Sequence, residues 1–148
     1  MPAKIQNKIA RARENMGNKL LIIDDDEEMC SELTDILRRE GYQTEFSLDG
    51  LSGKKMILNN KYDLVLLDLK ISKLNGFGVL KFIKDNNIKV NVIVISGRPM
   101  FNELKGYADT YNAEEEEILK FADSVINKPF DINHLIKRVG ELTSRVMP

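Results

Sequence analysis

Short apolar runs, LLII at 20–23, DLVLLD at 63–68 and VNVIVIS at 90–96, recur along this chain, and after each the apolar residues change to helical spacing. Continuous apolar runs of this length suit strands buried on both faces, whereas a strand with one wet face would alternate. Met29, Leu33, Ile36 and Leu37 follow the first run at helical intervals, with Gly41 placed to end that helix. YQTEFSL at 42–48 alternates with period two and reads as a second strand, suited to a sheet edge. Asp49-Gly50 signals a turn into a short helix covering Leu51, Met56 and Ile57. A third helix carries Val79, Leu80, Phe82 and Ile83. The last third predicts a helix at 113–122, a short strand at 123–127 and an amphipathic helix at 133–146. Five strands thus alternate with five helices. That pattern predicts an α/β fold: a parallel sheet with right-handed crossovers and helices on both faces.

In such a sheet, ligands bind beyond the carboxyl ends of the strands, near the point where strand order reverses. Asp24 and Asp25 follow strand one, Asp68 ends strand three, Ser96 ends strand four and Lys128 follows strand five. In DDDEE at 24–28, a helix starting near Asp26 accounts for Asp26 as cap and for Glu27 and Glu28 in the first turn. Asp24 and Asp25 are left over, and neighbouring carboxylates repel unless a cation or proton intervenes. An oxygen-rich acidic cluster suits Mg²⁺ or Mn²⁺ rather than zinc. Ser96 and Lys128 add a hydroxyl donor and a positive charge suited to phosphoryl oxygens. Asp68 is then the candidate nucleophile, because a carboxylate forms an acyl phosphate where a metal and a lysine stabilise the transferring charge. The inferred chemistry is phosphoryl transfer to aspartate.

Composition narrows the setting. A chain of 148 residues, 43% hydrophobic and 30% charged, fits one globular domain. The single cysteine, Cys30, excludes an intramolecular disulfide framework and a cysteine-rich zinc site, and suits a reducing, cytoplasmic setting. The apolar runs are too short to span a bilayer, and the N-terminus lacks a signal-peptide stretch, so no membrane association is expected. A net charge of -1 gives no footprint for nucleic acid. Residues 1–19 carry Lys4, Lys8, Arg11, Arg13 and Lys19 against Glu14, a charge of +4 that leaves -5 for residues 20–148. The basic arm, with Ile5, Ile9, Ala12 and Met16 at helical spacing, is expected to be either a docked helix or disordered.

From Leu20 to about Val146 the sequence resembles a response-regulator receiver domain of two-component signalling. The resemblance rests on LLIIDDDEEM for an acidic pocket, YDLVLLDLKISKLNGFGVL for the phosphorylated aspartate and its following loop, VIVISG for the hydroxyl position and INKPF for a lysine followed by proline. It implies a flavodoxin-like, doubly wound sheet of strand order 2-1-3-4-5. It makes Asp68 the phosphoacceptor, with Ser96 and Lys128 on the phosphoryl oxygens. Asp24, Asp25, Asp68 and the backbone carbonyl of Lys70 become the Mg²⁺ set, Asp25 being the more direct ligand of the acidic pair. Gly97 is expected to let the backbone approach the site, and Lys128-Pro129 to be cis. The donor would be a phosphohistidine on a sensor kinase or phosphotransfer protein, not ATP. The protein would be a signalling receiver that promotes its own aspartyl phosphorylation and dephosphorylation rather than a general enzyme, and it would switch a surface bound by an output partner.

Departures from the family pattern carry their own expectations. Ser72 replaces the usual proline four residues after the phosphoacceptor, which leaves that loop less rigid, and Val125 stands where an aromatic switch residue is common. The interval from Ser96 to Lys128 is longer than usual, with the excess at 98–112. That insertion carries Phe101, Tyr107 and Tyr111, which we read as exposed partner anchors or as a floppy insertion. Lys70 and Arg98 flank the expected path of an attacking water and predict slow self-dephosphorylation. Two rival readings are a phosphorylation-independent interaction module and a haloacid-dehalogenase-type phosphatase. The second has its D-x-D in Asp24 to Asp26 but only Asp131 toward a further acidic pair. His134 reads as surface, Cys30 as a small core or boundary residue, and Glu114 to Glu117 as the solvated start of a helix. Gly76 and Gly78 lack the spacing of a nucleotide-binding loop. The chain ends just after the fifth helix, so output is expected from a partner protein or from domains removed when this polypeptide was made.

Overall fold

The computed structural model describes Lys4 and residues 18–97 and 111–143. The expected basic arm therefore lies almost wholly outside the described residues, as do Arg98, Phe101 and Tyr107 of the expected insertion. The elements run β1 (Lys19–Ile23), α1 (Glu27–Arg39), β2 (Gln43–Ser47), α2 (Gly50–Asn59), β3 (Leu64–Asp68), α3 (Gly76–Asp85), β4 (Asn91–Ser96), α4 (Ala113–Leu119), β5 (Ser124–Asn127) and α5 (Ile132–Thr143). All four strand pairings are parallel, and the order across the sheet is β2-β1-β3-β4-β5. This is the expected fold. Order reverses between β1 and β3, so their carboxyl ends flank the crevice.

The strands sort their side chains with period two. Leu20, Ile22, Leu64, Leu66, Ile93, Ile95 and Ile126 face one layer, closed by Cys30, Leu33 and Leu37 of α1 and by Leu135 and Val139 of α5. Leu21, Ile23, Val65, Leu67, Val92 and Val94 face the other, under Ile57 of α2, Phe77, Leu80 and Ile83 of α3 and Leu119 of α4. Burying each such leucine or isoleucine contributes about 1.5–3 kcal/mol before entropy is counted, so the two layers fix the register of every strand. A slip of one residue would exchange them.

Helix starts follow the side-chain chemistry. Asp26, Asp49, Asn75 and Asn112 each accept a hydrogen bond from a backbone amide three residues on, and Asn112 with Glu115 completes a capping box. Gly41 ends the turn after α1 with φ 97°, a conformation that suits glycine. α2 covers Leu51, Met56 and Ile57 as expected, although Leu51 is 43% exposed. The inner face of α2 there is made instead by Gly50 and Gly53, which let the helix approach the Leu74 carbonyl and the Ile23 side chain more closely than a Cβ would permit.

Candidate functional site

Each acid at the crevice is positioned by the backbone that delivers it. Asp24 follows β1 directly, is almost fully buried, and hands its amide to the Ser47 carbonyl at the end of β2. Its Oδ1 accepts the Asp26 amide at 3.0 Å, which turns the chain out of the strand and lets Asp26 cap α1. Asp25, between them, is exposed. Asp68 is the last residue of β3 and is 5% exposed. Its Oδ1 accepts the Lys70 amide at 3.1 Å. One carboxylate oxygen from each of Asp24, Asp25 and Asp68 lies within 4.8 Å of the others.

Lys128 bridges two of these three acids. Its Nζ donates to Asp24 Oδ2 at 2.9 Å and to Asp68 Oδ2 at 3.2 Å. The Lys128 amide donates to the Ser96 carbonyl at 2.7 Å, tying the residue to the end of β4, and the Lys128-Pro129 bond is cis as expected. Burial raises the Asp68 pKa most strongly, with the Asp24 charge adding to it, and the Lys70 amide and Lys128 oppose the shift only in part. For Lys128, burial works against the charged form, but the bonds and charges of Asp24 and Asp68 together outweigh it and its pKa is raised. Two nearly buried carboxylates sharing one ammonium form a site short of positive charge, which is the condition under which oxygen ligands take a hard divalent cation.

The loop after Asp68 carries Ser72 in place of proline and is held through its backbone. The Ser72 carbonyl accepts the amides of Gly50 and Leu74, and Lys73, at φ 68°, places its ammonium 3.7 Å from Asp49. Gly76 opens α3 directly against this segment: a Cβ there would stand 2.5 Å from the Asp68 carbonyl oxygen and from the Leu69 Cα. At Gly97 a Cβ would meet nothing within 4 Å among the described residues.

Ser96 ends β4 with its side chain buried, and its hydroxyl lies 2.7 Å from the phenol oxygen of Tyr111. This corrects the reading of Tyr111 as an exposed anchor. It is 3% exposed, its ring meets Phe77 edge-on at 5.7 Å, and its hydroxyl is spent on the site. Sequence reasoning missed it because Tyr111 stands fifteen residues beyond Ser96 and belongs to no strand-end pattern. Its position immediately before the Asn112 cap was the one available signal. Val125, in the usual switch position, is half-buried beside the α4 layer.

The remaining acids argue against a dehalogenase-type site. Asp26 is committed to the α1 amides, and Asp131 Oδ1 accepts the Asn133 and His134 amides at the start of α5. His134 is exposed, as expected, and Cys30 is fully buried in the core. The Cys30 thiol is pushed up to about 12, first by burial and then by Asp24.

Comparison with known proteins points to one family. A model for the response regulator receiver domain matches residues 20–140. Response regulator ArlR of Staphylococcus saprophyticus is 29% identical over 127 residues, covering 86% of this chain and 53% of that protein. Sporulation initiation phosphotransferase F of Bacillus subtilis is 34% identical over 123 residues, covering 81% of this chain and 89% of that protein. Among solved structures, the Francisella response regulator 1452 receiver domain matches with a TM-score of 0.72 at 29% identity, covering 88% of this chain and 100% of that one. The chain spans about half the length of the first curated relatives it matches.

Proposed function

Because the chain belongs to the response-regulator receiver family, we propose that Asp68 is its phosphoacceptor, charged by the phosphohistidine of a sensor kinase or phosphotransfer protein. The observation that carries this reading is the bridge from Lys128 Nζ to both Asp24 and Asp68, with the Ser96 hydroxyl at the end of the neighbouring strand. Asp68 attacks phosphorus, and the donor nitrogen leaves. Lys128 and Ser96 take the phosphoryl oxygens, Lys128 as a charge and Ser96 as a directed donor. Asp24, Asp25, Asp68 and the Lys70 carbonyl are the residues to hold Mg²⁺ or Mn²⁺, and the clustered carboxylate oxygens fit that group. When bound there, the metal would supply positive charge to the transferring phosphoryl group.

In this proposal residues 20–148 form the receiver body, with 1–19 as a basic arm and 98–112 as an insertion, and the protein works in the cytoplasm without binding nucleic acid. No helix among the described residues is long and apolar enough to cross a membrane. The unnamed output partner recognises the phosphorylated form. Asp68 should also lose its phosphoryl group slowly. Lys70 is exposed beside the acceptor, and with Arg98 it is expected to add about 1–2 kcal/mol to the barrier, roughly a factor of ten in lifetime.

The direct test is labelling by acetyl phosphate with Mg²⁺. Asp68→Asn should abolish it with the fold retained, and Asp25→Ala should weaken Mg²⁺ binding. Undiminished labelling of the Asp68 variant would remove the assignment. Lys70→Ala combined with Arg98→Ala should hasten decay about tenfold, and an unchanged decay rate would refute the lifetime reading.

A further inference from the structure

The Ser96–Tyr111 hydrogen bond has a direction that the state of Asp68 can set, and we propose that Tyr111 is a positioning residue that acts on the phosphoryl site through Ser96. The inference rests on the reading of Asp68 as phosphoacceptor. A serine hydroxyl has one proton to donate and two lone pairs to accept with, and a phenol likewise has one proton. In the present geometry either oxygen can be the donor across the 2.7 Å contact. A phosphoryl oxygen is an acceptor only. Once Ser96 turns its proton to that oxygen, the contact persists only if the phenol donates to Ser96, which yields the chain Tyr111 O–H to Ser96 O–H to phosphoryl oxygen. Hydrogen bonds linked in this way polarise one another, and the one ending on an anion is the strongest.

The surroundings suit a relay. Tyr111 and Ser96 are 3% and 1% exposed, so water competes little for either hydroxyl. The ring is braced by Phe77 of α3, the helix that opens against the Asp68 backbone. The next residue, Asn112, caps α4. Fixing the phenol as donor therefore also fixes the entry to α4, while Val125, packed against the same core layer, has no hydroxyl to offer. Phosphorylation is thereby reported to α4 at its capping residue.

Tyr111→Phe keeps the ring against Phe77 and removes only the donor. Beryllofluoride with Mg²⁺ serves as the probe, titrated into the whole chain with hydrogen exchange read over residues 111–119. The wild type should bind it and gain protection there. Tyr111→Phe should bind about three- to tenfold more weakly, as expected for one hydrogen bond, and should lose the added protection. In a Ser96→Ala background, Tyr111→Phe should change nothing further. Wild-type affinity in Tyr111→Phe, or an equal loss with and without the Ser96 hydroxyl, would overturn the relay and leave the ring a packing role. Failure of the wild type to bind, or equal binding by Asp68→Asn, would instead overturn the phosphoacceptor reading, and the relay with it.

Discussion

Cys30 illustrates how a residue can stand beside reactive groups and remain inert. Its thiol donates to the Asp24 carbonyl at 3.4 Å, it has no exposed surface, and burial together with the Asp24 charge lifts its pKa from 9.0 to about 12. The thiolate is the nucleophile in alkylation, so native protein at pH 8 should react with iodoacetamide only as fast as it unfolds, whereas denatured protein should react at once. The same shift bears on stability. A raised pKa in the folded state means that the contribution of Cys30 is whole below pH 9.0 and is lost as pH rises from there through about 12. Cys30→Ala should flatten that part of the alkaline limb in urea titrations at stepped pH. Tyr62 adds to the limb in the same direction, because burial and its bond to Glu45 raise its pKa. A Tyr62→Phe control separates the two.

At the scale of elements, the helix that follows β3 must come very close to the acceptor strand, and glycine is what allows it. Gly76→Ala would press a methyl carbon onto the Asp68 carbonyl and the Leu69 Cα, both backbone atoms that cannot swing aside. A cost of about 1–3 kcal/mol is expected, together with weaker Mg²⁺ binding, since the displaced backbone carries Asp68 and leads to Lys70. Gly78→Ala in the same helix meets side-chain atoms alone, the Leu74 Cδ1 at 2.5 Å and Cγ at 3.1 Å and the Asn75 Oδ1 at 3.7 Å, so a shift of the Leu74 side chain should absorb it with metal affinity unchanged. Thermal unfolding and Mg²⁺ titration of the two variants check the contrast. This contact also shows what was legible in the sequence. Strand ends were, because apolar runs stop abruptly at Asp24, Asp68 and Ser96 and each polar residue there marks one edge of the sheet. Close approaches such as Gly76 to Asp68, and the inward placement of Tyr111, were not, because they depend on how non-neighbouring segments meet. Ser96 and Tyr111 stand fifteen residues apart, and the sequence between them shows no apolar period that would bring them together.

Across the whole molecule, the sheet brings acids from β1 and β3 and a lysine from beyond β5 to one edge, over sequence separations of 104 and 60 residues. The two core layers hold that convergence rigid, so the carboxylates of Asp24 and Asp68 have little freedom to move apart if their cation is lost. Lys128→Met removes the ammonium while keeping a chain of similar length. In a metal-free buffer near pH 7.5 the variant then holds two nearly buried acids without a counter-charge. Breaking a partly buried pair of this kind costs about 2–3 kcal/mol, less than the full buried value because the lysine is 29% exposed. For a chain of this size that corresponds to about 5–10 °C in Tm. Mg²⁺ offers the acids another cation, so millimolar Mg²⁺ should raise the Tm of Lys128→Met more than that of the wild type, in which the ammonium already partly neutralises the site. Asp68→Asn in the same background should recover stability without metal, since it removes one of the two repelling charges. An equal Mg²⁺ shift in wild type and Lys128→Met, or no recovery in the double variant, would show that the lysine is dispensable to the charge balance of this edge.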